Sequence, residues 1–398
     1  MYQRLLPMKV IISVPGRFWA FDLAAQLLKR DYLRKLITSY PKFEVVKYGL
    51  PADKIESLIL KEILERGWNK LPGFIKNFYN PQFFISEIFD QAAARKITPA
   101  DILVGYSNFS LHTFRQAKKL GPITILERGS SHMLYQQQIL KEEYEKFGVK
   151  GELAHPKIVE KELQEYEEAD YICVPSLFVK RTFLEKNVPE SKILHIPFGV
   201  DLSAFRQIPK TDNTFRVVFV GTLSLRKGVH YLLRAFSELK LANAELLLIG
   251  RLTDEIELFL RKYEGNFKYL GHQSYQELYQ HYSQGSVFVL MSIEEGLALV
   301  QAQAMACGLP VICTPNTGGE DIVRDGLDGF IIPSRDLEAL KQKLLYFYNN
   351  PESAKQMGQA AKNRVAAGFT WADYGHRIIA AYQRILNQPS EVVQKPDQ

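Results

Sequence analysis

One stretch of forty residues constrains the fold of this chain more than any other part of the sequence. Residues 291–330 begin where an apolar run ends and continue with a turn in which a glutamate precedes Gly296. Small and apolar residues follow at helical spacing over 297–306, and 309–313 is a short apolar run typical of a strand covered on both faces. This order of strand, polar turn, helix and strand predicts a parallel α/β sheet, in which ligands bind at the carboxyl ends of the strands.

The length of 398 residues predicts two domains, because one hydrophobic core rarely organises so long a chain. Apolar runs alternate with helical spacing through the first half, which predicts a doubly wound Rossmann-like domain over residues 1–204. The predicted strands are 8–14, 102–104, 123–126, 171–174 and 193–196, and the predicted helices are 21–36, 111–120 and 178–185. Ser176 is the candidate cap of the last of these helices.

A polar segment at 206–215 is the best candidate for a linker, since it contains a proline and few apolar residues. The alternation restarts with a strand at 217–220, a helix at 229–239 and a strand at 245–249. It therefore predicts a second Rossmann-like domain over 205–370. Two such domains are expected to face a central cleft, where small molecules commonly bind.

Cysteine usage and hydropathy indicate a reduced compartment. Cys173, Cys307 and Cys313 lie in apolar contexts and make no disulfide framework, so we expect them to be buried and reduced, as in cytoplasmic proteins. The sequence has no apolar run near the roughly 20 residues needed to span a bilayer. Its first residues lack the pattern of a signal peptide.

The positive charge is concentrated at the amino-terminal end. Residues 1–50 contain nine Lys and Arg against three Asp and Glu, whereas 201–398 contain 21 of each class. This asymmetry predicts an anionic partner on the amino-terminal half, a lipid-linked acceptor or an anionic membrane touched peripherally. A solvated basic face without a partner is the alternative. Nucleic acid is disfavoured, because the excess is small and no interleaved basic and aromatic motif is present.

Residues 57–90 are rich in aromatic and basic side chains. The aromatic ones include Trp68, Phe74, Phe78, Tyr79, Phe83 and Phe84. Such a mixture suits an amphipathic segment on a membrane or an acceptor groove. We favour the alternative, a helical insertion whose aromatic side chains pack on the domain, because aromatic residues most often serve cores.

A basic turn opens the second half of the chain. Residues 219–228 bring a strand into a turn that carries Arg226 and Lys227 just before a predicted helix. Backbone N–H groups at a helix start favour an anion by roughly 0.3–1 kcal/mol, and the two cations add to this. The turn therefore predicts a diphosphate site, although its spacing is not that of a Walker A loop. A capped turn with exposed basic residues is the structural alternative.

Further polar groups follow predicted strands and indicate the rest of a ligand site. Glu295 lies on the turn near the start of the stretch 291–330, and Gln303 lies eight residues later on the predicted helix. The pair suits a sugar ring and a ribose diol. Residues 317–319 supply exposed amides. His132 follows a predicted strand and suits a donor to an oxyanion or an acceptor hydroxyl. Gly16 permits close approach of a ligand after the first strand. No CxxC or HExxH grouping occurs, so no metal site is expected.

Taken together, these residues resemble family 4 of the retaining, nucleotide-sugar-dependent glycosyltransferases, which have the GT-B fold. The resemblance is strongest over 215–335 and extends in weaker form to 168–176, 196–201 and 369–371. It implies an α/β fold of two Rossmann-like domains, 1–204 for the acceptor and 205–370 for the donor. The last helix, 371–386, would pack back on the first domain, and the tail 387–398 is expected to fray.

The resemblance also implies roles for individual residues. Glu295 fits the glutamate that contacts the donor sugar, and Gln303 stands where the family has a glutamate that contacts ribose. Lys227 matches the cation of the diphosphate clamp, Thr222 stands where arginine is common, and His132 resembles the cleft histidine by position. The implied catalytic residues are His132, Glu295 and Lys227. The implied donor-binding residues are Gly16, Arg17, Thr222, Arg226, Lys227, Glu295, Gly296, Leu297, Gln303, Thr317, Gly318 and Gly319.

The activity so implied is transfer of a sugar from a UDP- or GDP-sugar to the hydroxyl of a glycan, lipid-linked or other acceptor, with retention and without metal or cofactor. Such a transferase would serve polysaccharide, glycolipid or other glycoconjugate synthesis in the cytoplasm or on the cytoplasmic membrane face. Two alternatives stay open. A catalytically weak scaffold or regulatory subunit is favoured by Gln303 and Thr222, and a GT-B sugar-nucleotide epimerase is the third candidate.

Overall fold

Two parallel sheets organise the protein. The computed structural model describes residues 8–70 and 81–387. The strands are β1 (Val10–Val14), β2 (Leu33–Thr38), β3 (Ile55–Ser57), β4 (Ile102–Tyr106), β5 (Ile123–Glu127), β6 (Tyr171–Val174), β7 (Ile193–His195), β8 (Phe215–Val220), β9 (Ala244–Ile249), β10 (Lys268–Tyr269), β11 (Val287–Leu290), β12 (Val311–Cys313) and β13 (Gly329–Ile331).

Helices connect these strands, as right-handed crossovers between parallel strands require. The α-helices are α1 (Ala20–Leu28), α2 (Lys42–Val46), α3 (Leu60–Asn69), α4 (Gln82–Ala94), α5 (Leu111–Ala117), α6 (Met133–Phe147), α7 (Pro156–Glu168), α8 (Leu177–Leu184), α9 (Val229–Leu239), α10 (Glu257–Lys262), α11 (Leu278–Ser283), α12 (Leu299–Ala306), α13 (Gly319–Ile322), α14 (Leu337–Asn349), α15 (Pro351–Ala366) and α16 (Trp371–Asn387). Short 3₁₀ turns lie at Ala52–Lys54, Glu190–Lys192, Asp254–Ile256 and Pro315–Thr317.

The first sheet has seven strands in the order β3-β2-β1-β4-β5-β6-β7. Its central strand β1 runs parallel to both neighbours, and Ile12 pairs with Leu36 on one side and Val104 on the other. All five residues of β1 are buried, because helices cover both faces of a parallel sheet.

The second sheet has six strands in the order β10-β9-β8-β11-β12-β13, and every neighbouring pair is parallel. The chain starts at β8, extends to β9 and β10 on one side, and then returns to build β11, β12 and β13 on the other. The order therefore reverses between β8 and β11, and a crevice for ligands forms at the carboxyl ends of two strands where such a reversal occurs.

Contacts between residues divide the described chain into two compact units. One unit contains the residues up to Leu126, the segment 164–171 and the residues from Gly375 onward. The other unit contains 127–163 and 172–374. The division into an acceptor domain over 1–204 and a donor domain over 205–370 stays a prediction. Of the predicted tail, residues 388–398 lie outside the described part of the chain.

One predicted helix is partly wrong. Residues 21–36 were assigned to a single helix, but α1 ends at Leu28 and β2 begins at Leu33. The turn between them contains Asp31 in the left-handed region, at φ 55°, a conformation that aspartate tolerates better than most residues. Leucines at helical intervals continue through this turn, so their spacing does not show where the helix stops.

Most other predicted elements are confirmed. Ser176 accepts a hydrogen bond from the backbone N–H of Val179 at 3.2 Å and caps α8 as expected. The three cysteines are buried and form no disulfide. In the aromatic segment, α3 and α4 are helical, while Phe74, Phe78 and Tyr79 lie outside the described residues. Among the described helices, none is both long enough and apolar enough to cross a membrane.

Candidate functional site

The loops that follow β8 and β11 pack against each other at the reversal of the second sheet. The backbone N–H of Ile293 donates to the carbonyl oxygen of Arg226 at 2.8 Å. Gly228 has φ 67°, and a Cβ at this position would lie 1.9 Å from the carbonyl oxygen of Met291. Only glycine satisfies both conditions, because other residues carry a Cβ and rarely adopt this conformation. The two loops thus bring the predicted cations and carboxylates together.

Lys227 and Glu295 form an ion pair at this place. The Lys227 ammonium contacts Oε2 of Glu295, and Nη2 of Arg226 lies 4.0 Å from Oε1 of the same carboxylate. Burial and the charge of Arg226 lower the pKa of Lys227 to about 7, although the charge of Glu294 acts in the opposite direction. Lys227 therefore loses its charge more readily than an exposed lysine does.

Glu294 is the functional candidate that sequence reasoning missed. Its side chain is fully buried. Oε1 accepts from the N–H and hydroxyl of Ser131 at 2.9 and 2.6 Å, and Oε2 accepts from Gln136 and Arg226 Nε at 2.9 and 2.8 Å. Burial raises the pKa, but the charge of Arg226 and the bonds from Gln136 and Ser131 outweigh it and lower the pKa to about 2. The carboxylate is ionised throughout the physiological range.

The loop between β5 and α6 is held against the same turn. A Cβ on Gly296 would lie 1.7 Å from the carbonyl oxygen of Gly129, so the two backbones touch. Arg128 is buried and stiffens the loop, since it donates to the Ser131 carbonyl through Nε at 3.0 Å and to Glu162 through Nη1 at 2.6 Å. This buried pairing explains why an arginine occurs directly after a strand here.

His132 caps helix α6 and is neutral at pH 7. Its Nδ1 accepts from the N–H of Leu134 at 3.2 Å, which leaves the proton on Nε2. Burial, together with the positive charges of Arg128 and Lys186, lowers its pKa to about 4. The ring also packs edge-to-face on Phe183, with centroids 4.9 Å apart. The imidazole is thus neutral, with its proton on Nε2.

Gln303 lies on α12 with 8% of its surface exposed. Its Oε1 accepts from the hydroxyl of Tyr282 at 3.2 Å, and Tyr282 itself is fully buried. One lone pair of the amide oxygen is therefore engaged by a core residue, and the amide nitrogen carries two donors. A carboxylate at this position would instead keep an acceptor oxygen.

The glycine loop after β12 closes on the turn after β11. The N–H of Ala298 donates to the Thr317 carbonyl at 3.1 Å. Gly318 has φ 72° and lies so close to Gly296 that a Cβ would be 2.8 Å from its carbonyl oxygen. The hydroxyl of Thr317 lies 2.9 Å from Gln301 Oε1, so it holds the loop. Leu297 in the same turn is buried.

The remaining predicted residues are divided between the two compact units. Thr222 is exposed in the loop after β8. Gly16 and Arg17 belong to the other compact unit, where the Arg17 guanidinium lies 4.4 Å from the centroid of the Tyr48 ring. Gly319 opens α13, and a Cβ there would meet the thiol of Cys313 at 2.4 Å.

One group of residues in the described chain has the spacing of metal ligands. Glu87, Asp90 and His112 offer ligand atoms within 4.8 Å of one another. Both Asp90 oxygens already accept N–H groups, from His112 at 3.0 Å and from Thr113 at 2.9 Å, and these bonds satisfy the start of α5. Capping accounts for Asp90, while Glu87 pairs with the ring of His112, 2.8 Å from its Nε2.

Comparison with known proteins identifies the segment that carries the cluster. Residues 202–364 match the family described as "Glycosyl transferases group 1". Over this segment the chain is similar to the group 1 glycosyl transferases. The matched segment contains β8 to β13 and both loops at the sheet reversal, so Lys227, Glu294 and Glu295 all lie within it.

Relatives and solved structures extend the comparison. The chain is 25% identical over 234 residues to a GDP-mannose-dependent monoacylated alpha-(1-6)-phosphatidylinositol monomannoside mannosyltransferase from Corynebacterium glutamicum, covering 53% of this chain and 61% of the relative. It thus spans about three fifths of the length of curated relatives that it matches.

Two solved structures share the fold over nearly the whole chain. Sucrose-phosphate synthase from Thermosynechococcus elongatus superposes with a TM-score of 0.70 at 18% identity, over 96% of this chain and 99% of that one. HepE from Anabaena in complex with UDP gives 0.67 at 13% identity, over 95% and 100%. The predicted fold class, α/β with two Rossmann-like domains of the GT-B type, is confirmed.

Proposed function

We propose that this protein is a retaining glycosyltransferase that moves a sugar from a nucleotide diphosphate sugar to an acceptor hydroxyl. The observation that carries the proposal is the Lys227–Glu295 pair at the sheet reversal, next to the start of α9. The cation and the helix N–H groups at this place suit a diphosphate, and the carboxylate suits a sugar hydroxyl. The match of residues 202–364 to the group 1 family supports it.

In the proposed reaction, the bond from the anomeric carbon to the diphosphate breaks while a bond to the acceptor oxygen forms. Lys227 would leave Glu295 for the departing diphosphate and stabilise its charge together with the amides at the start of α9. Glu295, freed of its cation, would accept from a hydroxyl of the donor sugar. The acceptor proton would pass to an oxygen of the leaving phosphate, so no side chain serves as a nucleophile. Neutral His132 would donate its Nε2–H to a substrate hydroxyl.

For the donor we propose a UDP- or GDP-sugar, bound without a metal ion. One relative is named for its dependence on GDP-mannose, and one structural neighbour contains UDP. The cations at the site supply charge that a metal would otherwise bring. Gly16, Arg17, Thr222, Gln303 and the 317–319 loop complete the proposed set of donor contacts.

Titration calorimetry of the full chain with UDP and GDP separates this proposal from a degenerate scaffold. The transferase should bind at least one of the two nucleotides, and a screen of nucleotide sugars should release the same nucleotide. A protein that binds neither nucleotide and releases neither from any sugar donor would contradict the proposal and favour the scaffold. Conversion of a sugar nucleotide to its epimer in the absence of acceptor would instead identify an epimerase.

For the acceptor we propose a lipid-linked or other glycan hydroxyl, reached from an anionic membrane surface in the cytoplasm. The amino-terminal compact unit exposes large apolar side chains on α2 and α3, with Phe43 67% and Ile63 59% exposed. Lysines 42 and 47 flank Phe43, and apolar anchors with nearby cations favour an anionic interface.

Cosedimentation with phosphatidylglycerol vesicles tests this membrane contact. Wild-type protein should pellet with the vesicles at low salt and release at high salt. A Phe43→Ser, Ile63→Ser double variant should remain in solution, while Leu258→Ser, at a residue 65% exposed in the other unit, should pellet like wild type. Absence of salt-sensitive pelleting by the wild-type chain would remove the proposed contact.

A further inference from the structure

We infer that Glu294 is a positioning residue that fixes the His132 loop and Arg226 relative to the Lys227–Glu295 pair. The inference rests on the function proposed above, since it assigns to Glu294 a role in the same transfer. It concerns a carboxylate that touches neither substrate in the proposed reaction and acts only through its neighbours.

The hydrogen bonds of Glu294 join three separate segments of the chain. Ser131 binds through its N–H and hydroxyl, Gln136 through its amide on α6, and Arg226 through Nε in the loop after β8. Glu294 itself stands between β11 and Glu295. A fully buried carboxylate is costly unless such donors surround it, so each of the four bonds constrains where its segment lies.

The pairing also changes the role of Arg226. Its Nε is bound to Glu294, while its Nη2 faces Glu295 at 4.0 Å. Arg226 therefore orients the two carboxylates, and Lys227 is the cation that can change partner when a diphosphate arrives. Two cations face two carboxylates at this site, so donor binding depends on the exchange of a partner by Lys227.

The chain offers a matched control in a second buried carboxylate. Glu143 on α6 is also fully buried. It bonds to His230 Nε2 at 2.9 Å and accepts from Arg335 Nε at 2.6 Å. Glu143 and Glu294 thus share burial, an arginine partner and a place in the same compact unit, but only Glu294 adjoins the Lys227–Glu295 pair.

The test compares Glu294→Gln with Glu143→Gln in the full chain. In both variants, glutamine places an amide nitrogen next to the hydrogen-bond donors that faced the carboxylate. Both variants should therefore melt at a lower temperature than the wild-type chain. Glu294→Gln should lower kcat at least tenfold and change the donor KM less than threefold. Glu143→Gln should keep kcat within twofold. Equal kcat in the two variants, or a Glu294→Gln loss confined to KM, overturns the inference.

Two further measurements keep the test decisive. Ser131→Ala removes one donor and retains the backbone bond, so it should lower kcat at least threefold even if Glu294→Gln fails to fold; an unchanged kcat overturns the inference. Amide hydrogen exchange gives a readout without turnover: residues 129–136 should exchange at least tenfold faster in Glu294→Gln than in Glu143→Gln, and equal rates overturn the inference. Failure of the wild-type chain to bind or turn over any donor would instead refute the proposed function.

Discussion

Two cations and two carboxylates lie together at the carboxyl ends of β8 and β11, and their pairing decides what each side chain contributes. Glu294 forms an ion pair with Arg226, and Glu295 forms one with Lys227. Because Glu294 is saturated and Glu295 is not, only the second pair can open for a ligand. At the residue scale, the site is an ion pair in which an anionic ligand can replace Glu295 as the partner of Lys227.

Removing either member of the exchangeable pair should slow the reaction. Lys227→Ala removes the charge that stabilises the departing diphosphate, and Glu295→Ala removes the acceptor for the donor sugar. Each should lower kcat/KM at least tenfold, which corresponds to about 1.4 kcal/mol of transition-state stabilisation. Steady-state kinetics with the donor found by screening measures the loss, and Lys268→Ala, at an exposed lysine in the same unit, should leave kinetics unchanged. Wild-type rates in Lys227→Ala would contradict the assignment.

The lowered pKa of Lys227 makes donor binding depend on pH. The ammonium is charged below its pKa of about 7 and neutral above it, while a bound diphosphate favours the charged form and raises the pKa. Binding of UDP at pH 8 should therefore take up a proton, and affinity should fall as pH rises from 7 to 9. Calorimetry in buffers of different ionisation enthalpy measures the uptake. Lys227→Met should abolish the difference between buffers, and the same uptake in that variant would refute it.

Sequence reasoning identified the residues at the edge of this cluster more readily than its centre. Lys227 and Glu295 stand beside glycines in turns after apolar runs, so spacing alone draws attention to them. Glu294 carries no such signal, because its importance comes from burial against Ser131, which is 163 residues away in sequence. Gln303 shows the same limit. Its amide oxygen accepts a hydrogen bond from Tyr282, and the spacing of residues in the sequence does not reveal this contact.

At the scale of elements, the turns at the sheet reversal demand glycine for two reasons at once. Gly228 has φ 67° and lies against the Met291 carbonyl, whereas Gly265 has φ 83° with no atom within 4 Å of its added Cβ. The two positions therefore share backbone strain, and only Gly228 adds a steric conflict.

Alanine at these two positions separates strain from contact. Gly265→Ala should destabilise the fold by roughly 1 kcal/mol through backbone strain alone. Gly228→Ala should cost at least ~1 kcal/mol more, because the Met291 strand end must move, and it should weaken UDP binding as well. Chemical denaturation gives the two free energies of unfolding. Equal losses would mean that the loops after β8 and β11 adjust without cost.

Some element boundaries are indicated by a capping residue in the sequence, whereas others depend only on packing in the folded protein. Ser176 and the apolar run before it define the start of α8, and the structure confirms them. The end of α1 has no such marker, since leucines continue at helical spacing into β2. Burial of Leu33, Leu36 and Ile37 in the sheet decides in favour of the strand, and that burial exists only once β1 and β3 are in place.

At the scale of the whole molecule, the compact unit that carries the site reaches beyond the donor domain predicted from sequence. It includes residues 127–163, and these supply Ser131 and Gln136 to Glu294 and supply Glu143 to His230. A fragment of residues 205–370 would lack these donors and this acceptor. Its buried Glu294 would keep Arg226 as partner but lose three of its four hydrogen bonds.

The fragment 205–370 should therefore be less stable than the corresponding unit in the full chain, by about 3 kcal/mol or more, because a buried carboxylate without its partners is strongly destabilising. Glu294→Met should raise the denaturation midpoint of the fragment, where the carboxylate is poorly satisfied, and lower the midpoint of the full chain, where it is saturated. Shifts of opposite sign would distinguish this effect from a change in hydrophobicity alone, which would shift both midpoints in the same direction. A fragment as stable as the full chain would show instead that residues 205–370 fold as an independent domain and that the 127–163 segment contributes only to the chemistry.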